Sequence, residues 1–253
     1  MKFSIITICR NSEKVLPQAM ASLAAQCYKD YEWVVIDGAS TDSTLKIAQS
    51  FSAAPMLLIS EPDDGIYSAM NKGVANARGD YLFFLNSDDS LNDCEVLADV
   101  VKELDADPLI DLLYGDVIYK REGSRVLRTF AHIDAHTLPF EDLCHQAVFA
   151  RKSLFERIGR FNEQFKINAD YDWLIRVFRS GARLYRISRT IAVFNVGGAH
   201  TQNPAQVAEE RREVRLQYLS PAALSLGSLH RKLIHRWHRH FRAHPLGRQL
   251  IKD

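Results

Sequence analysis

The chain has 253 residues, 28.8 kDa, and 47% hydrophobic composition, enough for a substantial core in one large domain or two small ones. No stretch approaches the ~18 consecutive apolar residues of a membrane-spanning helix, and no CxxC pair links the four cysteines, Cys9, Cys27, Cys94 and Cys144. Net charge is +1 but uneven: residues 228–253 hold seven Lys or Arg, five His and one acid, a balance of +6 against −5 for residues 1–227. Reduced thiols and the lack of a secretory leader before the first apolar run give the expectation of a cytoplasmic protein.

In chain order the first half alternates. Residues 3–8 (FSIITI), 33–37 (WVVID), 56–60 (MLLIS) and 81–85 (YLFFL) read as strands, and helical patterns over 11–25, 42–53, 66–77 and 95–106 separate or follow them. Strands apolar on both faces, alternating with helices, imply a parallel sheet covered on both sides. Ligands of such sheets sit beyond the carboxyl ends of the strands. That rule gathers CRN after Ile8, DGAS after Ile36, EPDDG after Ser60 and NSDD after Leu85 around one cleft.

The second half is less regular. LLYGDVIYKREGSRVLRTF reads as a hairpin turning at Gly123, and HQAVFARKSLFERIGRF as a strand and a short helix ended by Gly159. NADYDWLIRVFRSG is a helix with Trp173, Leu174, Val177 and Phe178 on its apolar stripe, stopped at Gly181. Two short strands, RLYRI and IAVFN, and a helix over 204–218 follow. No repeat or low-complexity linker interrupts the chain. We expect a domain over 1–222, with a ligand-binding half at 1–110 and an acceptor-binding half at 111–222, and a separate tail over 223–253.

Each polar cluster has a bland and a chemical reading. Asp37 at a strand end can accept from ribose hydroxyls or a base N–H, and Gly38 lets backbone approach; Ser40 or Asp42 caps the next helix. Adjacent Asp88 and Asp89, following Asn86 and Ser87, repel one another unless a cation, a helix amino terminus or water intervenes. Beside a nucleotide diphosphate, a hard divalent cation makes such a carboxylate pair sensible. Glu61, Asp63 and Asp64 precede a helix whose macrodipole favours acids, and Asn71, Lys72 and Arg78 are donors on or after it that could reach a phosphate. Asp170 and Asp172 are two apart, so only one faces a cleft; a carboxylate there is a cap or a general base. His145 and Gln146 open a strand after a polar loop.

The stretches SIITICRN, WVVIDGASTDST, SEPDDGIYSAMNKGVANARGDYLFFLNSDD, HQAVF and ADYDWLIR together resemble the family 2 inverting glycosyltransferases over nearly all of residues 1–200. Within that family the chain is similar to the bacterial exopolysaccharide and lipopolysaccharide branch of colanic-acid type. The resemblance implies an α/β glycosyltransferase-A fold, with a Rossmann-like, mostly parallel sheet flanked by helices. It implies a nucleotide-sugar donor, with UDP the expectation, and a divalent cation, Mn²⁺ or Mg²⁺. It implies nucleotide contacts from Thr7, Asn11, Asp37, Gly38, Asp64, Asn71, Ser87 and Asp88, metal ligation by Asp88 and Asp89, a catalytic base at Asp170, and acceptor or sugar contacts from His145, Gln146 and Asp172. Many members carry Asp where this chain has Asn86 and Glu where it has Ala169; both differences lower the local negative charge. The acceptor it implies is a hydroxyl of a glycan or of a polyprenyl-diphosphate-linked chain. Two other classes stay open on the residues alone: a non-catalytic nucleotide-sugar-binding scaffold and a sugar nucleotidyltransferase.

In the tail, Leu226, Leu229, Leu233, Trp237 and Phe241 recur mostly at i+4 with Arg231, Lys232, Arg236, Arg239 and Arg242 around them, up to Pro245. This is the pattern of an amphipathic basic helix that lies on an anionic membrane, and it predicts peripheral association at the cytoplasmic face of the inner membrane; no nucleic-acid partner is expected.

Overall fold

The computed structural model describes residues 1–197, 202–220 and 224. The tail expected over 223–253 lies, Leu224 apart, outside the described residues, so its helix and its membrane face do too.

Strand β1 (Phe3–Cys9) is the axis of the amino-terminal half. It pairs in parallel with β2 (Tyr31–Asp37) on one side and β4 (Tyr81–Phe84) on the other, and β3 (Met56–Ser60) continues the sheet beyond β2. Every residue of β2 and β4 is buried, the signature of a sheet covered on both faces. Glu32, buried in β2, is held by the hydroxyl of Ser4 at 2.5 Å and the backbone N–H of Arg78 at 2.6 Å. Helices α1 (Leu16–Ala24), α2 (Thr44–Gln49), α3 (Ile66–Asn76) and α4 (Val96–Ala106) supply the layers. Helix α3 lies so close to β1 that a Cβ on Gly73 would stand 2.4 Å from Ile6 Cγ2.

Beyond β4 the sheet changes character. Strand β8 (Val148–Arg151) pairs antiparallel with β4, and β6 (Leu112–Arg121) antiparallel with β8. Strand β9 (Leu184–Asn195) runs parallel to β6, β5 (Ser90–Leu91) closes the order antiparallel on β9, and β7 (Ser124–Arg128) forms the expected hairpin with β6. The sheet order is β3-β2-β1-β4-β8-β6-β9-β5, continuous across the boundary expected near residue 110. Helices α5 (Lys152–Arg157), α6 (Ala169–Arg179) and α7 (Pro204–Tyr218) complete the described residues. An aromatic cluster joins the halves: Phe155 stacks on Trp173 of α6 at 4.2 Å, and Phe161 packs edge-on against Phe84 of β4 at 5.4 Å.

Four element expectations change, the first being that residues 145–147 form a single helical turn and the strand expected to open at His145 begins at Val148. The helix expected from residue 11 begins at Leu16, with Pro17 in its first turn and Asn11 at φ 49° in the preceding loop. The helix expected to reach residue 53 stops at Gln49. The strands RLYRI and IAVFN are one twelve-residue strand, β9, whose register against β6 slips between Tyr114 and Val117. At that irregularity Gly115 meets the Arg189 carbonyl, which a Cβ would approach to 2.5 Å.

Candidate active site

A cleft of about 620 Å³ opens at the carboxyl ends of β1, β2 and β4, at the point between β1 and β4 where chain order reverses. The loops after these three strands form one wall, and the η-turn at His145–Ala147, the start of α6 and the end of β9 form the other.

The acidic motif after β4 splits its two carboxylates. Asp88 lines the cleft, and its carboxyl is pushed up by burial, with only its own backbone N–H and the charge of His145 pulling it down. Asp89 is fully buried: its oxygens accept from the Asn195 N–H at 2.9 Å and from Gln146 Nε2 at 2.7 Å. Burial and the neighbouring charge of Asp88 push Asp89 up to about 7. Asp89 therefore braces the loop against β9, and of the two residues expected to ligate metal only Asp88 reaches the cleft. Gln146 also lines the cleft, while its amide donates to Asp89 and accepts from the Cys144 thiol at 2.8 Å, bonds that brace the loop.

Asp170, in the first turn of α6, lies on the other side of the cleft. One carboxylate oxygen accepts from the Tyr67 hydroxyl at 2.8 Å and the Tyr171 N–H at 2.9 Å; the other lies 2.8 Å from His145 Nδ1. Burial alone would raise this carboxyl, but the bond and charge of His145 and the bonds from Tyr67 and Tyr171 prevail and hold it below the ordinary range. Asp170 is thus an ionised carboxylate in a half-closed site. The reading that only one of Asp170 and Asp172 faces the cleft fits: Asp172 turns away, ion-paired with Arg176 at 2.9 Å and bonded by the Tyr218 hydroxyl at 2.8 Å, not placed for an acceptor.

Of the residues expected to meet nucleotide, Gly38, Ser87 and Asp88 line the cleft, as His145 and Gln146 do for the acceptor. Thr7 does not: it is fully buried and its hydroxyl accepts from Trp33 Nε1 at 2.9 Å. Asp37 is fully buried, fastening its own loop through the Ser40 N–H at 2.9 Å and the Ser60 hydroxyl at 2.7 Å. Asn71 ties α3 to the 161–163 segment, donating to the Phe161 carbonyl at 3.0 Å and Glu163 at 2.7 Å. Asn11 is exposed outside the cleft, where its amide oxygen accepts from the Thr41 N–H at 2.9 Å. Asp64 is exposed and its neighbour Asp63 lines the cleft instead. Lys72, a possible phosphate donor by sequence, is clamped by Asp63 at 2.6 Å and Glu61 at 2.8 Å, bonds that push its ammonium up to about 12.

Several residues that line the cleft or hold its walls escaped the sequence reading. Arg10 follows β1 into the cleft and has no carboxylate partner among the described residues; its side chain packs 3.5 Å from where a Cβ on Gly38 would stand. Ser12 shares a 3.1 Å hydroxyl contact with Ser87, linking the loops after β1 and β4. Tyr67 reaches both Asp170 and, at 2.6 Å, the Ile167 carbonyl. The farthest in sequence is Glu210 of α7, buried, whose carboxylate accepts from the backbone N–H groups of Lys166, Ile167 and Asn168 at 2.9, 3.0 and 3.0 Å. It holds the turn that launches α6 and Asp170. Arg211 beside it bonds Asn168 at 2.9 Å and Asp142 at 2.7 Å. The spacing Val207, Glu210, Val214 puts Glu210 on the buried face of α7, which was the available signal.

Comparison with known proteins gives this geometry its context. The family description Glycosyl transferase family 2 matches residues 4–186. A PGL/p-HBAD biosynthesis glycosyltransferase of Mycobacterium bovis (strain BCG / Pasteur 1173P2) is 39% identical over 193 residues, 75% of this chain and 74% of the relative. An uncharacterized glycosyltransferase of Mycobacterium tuberculosis (strain CDC 1551 / Oshkosh) is 32% identical over 183 residues, 68% of this chain and 67% of that one. Among solved structures, S. aureus TarS 1-349 in complex with UDP-GlcNAc superposes with TM-score 0.73 at 23% identity, covering 88% of this chain and 69% of that chain. The mannosyltransferase PcManGT from Pyrobaculum calidifontis, in complex with GDP-Man and Mn2+, does so with TM-score 0.65 at 18% identity, covering 98% and 82%. These likenesses support the glycosyltransferase-A fold, while the relatives' names do not bear on the exopolysaccharide branch. The chain belongs to glycosyl transferase family 2 and is a glycosyltransferase.

Proposed function

We propose that the protein transfers a sugar from UDP to a hydroxyl of a glycan or polyprenyl-diphosphate-linked acceptor, with inversion, during synthesis of cell-surface polysaccharide. The observation that carries the reading is Asp170: a carboxylate held ionised by Tyr67, His145 and a backbone N–H, across one cleft from Asp88. Asp170 takes the proton of the acceptor hydroxyl as that oxygen attacks the anomeric carbon. The carbon–oxygen bond to the diphosphate breaks, its electron pair leaves with the diphosphate, and one displacement inverts the configuration. The solved complexes of TarS with UDP and of PcManGT with GDP-Man support a nucleotide-sugar donor without deciding the base.

The donor's diphosphate lies, in this reading, among Arg10, the Gly38 backbone, Ser12 and Ser87. Asp88 suits a divalent cation, Mn²⁺ or Mg²⁺: it is a hard oxygen ligand, and repulsion between it and Asp89 is of the kind a positive charge relieves. When bound, that ion supplies charge neutralisation to the departing diphosphate. Among the described residues no helix is long and apolar enough to cross a membrane. Peripheral residence at the cytoplasmic face of the inner membrane, through the basic tail, remains part of the proposal; loss of liposome binding on truncation after Ala223 is its test.

Calorimetric titration of the full chain with UDP, GDP, dTDP and CMP, each with and without Mn²⁺, tests the donor site. We expect UDP to bind with metal, and binding to weaken about tenfold or more on metal removal or in Asp88→Ala. Equal binding of UDP by wild type and Asp88→Ala, with and without Mn²⁺, would remove Asp88 from the site.

A further inference from the structure

We propose that Cys27, Cys94 and Glu95 form a second cation site, outside the cleft, for a thiophilic divalent ion of the Zn²⁺ class. Both thiols are exposed, and the sulfurs and a carboxylate oxygen lie within 4.8 Å of one another. Glu95 Oε1 stands 3.1 Å from Cys27 Sγ and 3.9 Å from Cys94 Sγ. Tetrahedral zinc, with bonds of about 2.3 Å to sulfur and about 2.1 Å to oxygen, requires sulfur–sulfur separations of about 3.8 Å and sulfur–oxygen separations of about 3.6 Å. Closing the three atoms around an ion therefore asks for shifts of about 1 Å at most, with water completing the coordination.

The loops that carry these ligands are fixed without them. Gln26, fully buried, donates to the carbonyls of Ser22 at 3.0 Å and Asp93 at 2.7 Å and accepts from the Leu97 N–H at 3.1 Å. The Cys27 N–H donates to the Cys94 carbonyl at 2.9 Å. Side chains projecting from loops already pinned together lose little further freedom when they close on an ion. The charge pattern points the same way. Glu95 has no ion-pair partner among the described residues, and its carboxylate is aimed at both sulfurs, an arrangement a disulfide would not need. Hydrogen bonds to Glu95 and Cys94 push the Cys27 thiol up to about 11, so it keeps its proton in the free site. A dication displaces thiol protons to solvent as it binds the sulfurs, and the Glu95 carboxylate that accepted from them becomes its oxygen ligand. Cys94 lies five positions beyond Asp89, so a bound ion fastens the loop after α1 to the segment leaving the acidic motif.

Anaerobic titration of the reduced full chain with Co²⁺, the spectroscopic stand-in for Zn²⁺, isolates this site. Thiolate ligation gives intense near-ultraviolet charge-transfer absorption that an oxygen-ligated ion at Asp88 does not. We expect the band to saturate at one equivalent, to be displaced by Zn²⁺, to vanish in Cys27→Ser and in Cys94→Ser, and to persist in Asp88→Ala. Glu95→Gln should weaken binding at least about tenfold. Because the three residues are exposed, these variants fold as the parent does. Absence of the band, or its survival in Cys27→Ser, which would assign it to other thiols, overturns the proposal.

Discussion

The two halves of the sheet treat polar residues in opposite ways. In the amino-terminal half, the polar side chains that stand out are mostly spent inside the fold: Thr7 accepts from Trp33 on the next strand, Asp37 gathers Ser40 and Ser60 of the loops beside it, and Asn71 on α3 clasps Phe161. The cleft surface there falls to their neighbours, Arg10, Gly38 and Asp63. In the carboxyl-terminal half, one reactive side chain, Asp170, is held by groups from distant parts of the chain: Tyr67 on α3, His145 before β8 and, through the backbone of 166–168, Glu210 on α7. A parallel βα unit organises a loop locally. A carboxylate kept ionised while buried needs donors brought in from elsewhere.

The sharpest way to break this contrast is Asp170→Asn. It keeps shape and removes the basic charge, so we expect turnover to fall by about 10²–10⁴-fold, with nucleotide affinity unchanged because that surface belongs to the other half. Turnover equal to wild type in a steady-state assay would take Asp170 out of the chemistry.

Glu210→Ala tests whether α7 serves the base or merely caps the fold. Three backbone N–H groups lose their acceptor, and at about 1–3 kcal/mol for each unmet group, eased where water enters, stability should drop by about 2–4 kcal/mol. Denaturant unfolding measures that loss. Below the melting range the same variant should lose turnover with little change in nucleotide affinity and shift the acid limb of the pH–rate profile, because Ile167 and its carbonyl contact to Tyr67 move. Glu210→Gln, which keeps one carbonyl acceptor, should recover part of both. A stability loss with an unmoved pH profile would reduce Glu210 to a cap.

What the sequence made legible follows the same division. The alternation of apolar runs and helical patterns located β1 to β4 and α1 to α4 because each βα unit is stabilised by contacts close along the chain. The antiparallel insertion of β8, the two-residue β5 and the continuity of β9 depend on partners far away, to which no local pattern points. Asp88 and Asp170 stood out by motif. Glu210 did not, since PAQVAEERREVRLQY reads as a solvated, charged helix until its valines are counted. Nor did the side of β1 on which Thr7 falls, because a strand buried on both faces offers no polar alternation to read.

Asp89 supplies a smaller, pH-dependent effect in metal-free buffer. Its carboxyl is raised by burial and by Asp88 to about 7 in the folded protein, from the ordinary value of 3.8 in the unfolded chain. The folded state therefore binds the extra proton between those values, and stability present below about pH 4 is lost as pH rises to about 7. Asp89→Asn removes that slope while keeping an acceptor for the Asn195 N–H. Thermal melts from pH 4 to 7 in EDTA should show a steeper decline in wild type than in the variant; parallel curves would place the Asp89 proton elsewhere.

The smallest expected effect separates the strand end from the cleft. Thr7→Val is nearly isosteric and deletes only the hydroxyl that accepts from Trp33 Nε1. If Thr7 belongs to the core, stability falls by about 1–2 kcal/mol, the cost of leaving the buried indole N–H without a partner. UDP affinity then stays within about twofold, since no cleft surface changes. If Thr7 instead met the nucleotide, the order would reverse: calorimetric affinity would fall by about tenfold, one charge-free hydrogen bond's worth, with the melt little moved. The two halves would then no longer differ in how they spend their polar residues, and the strand-end motif would be a binding motif throughout.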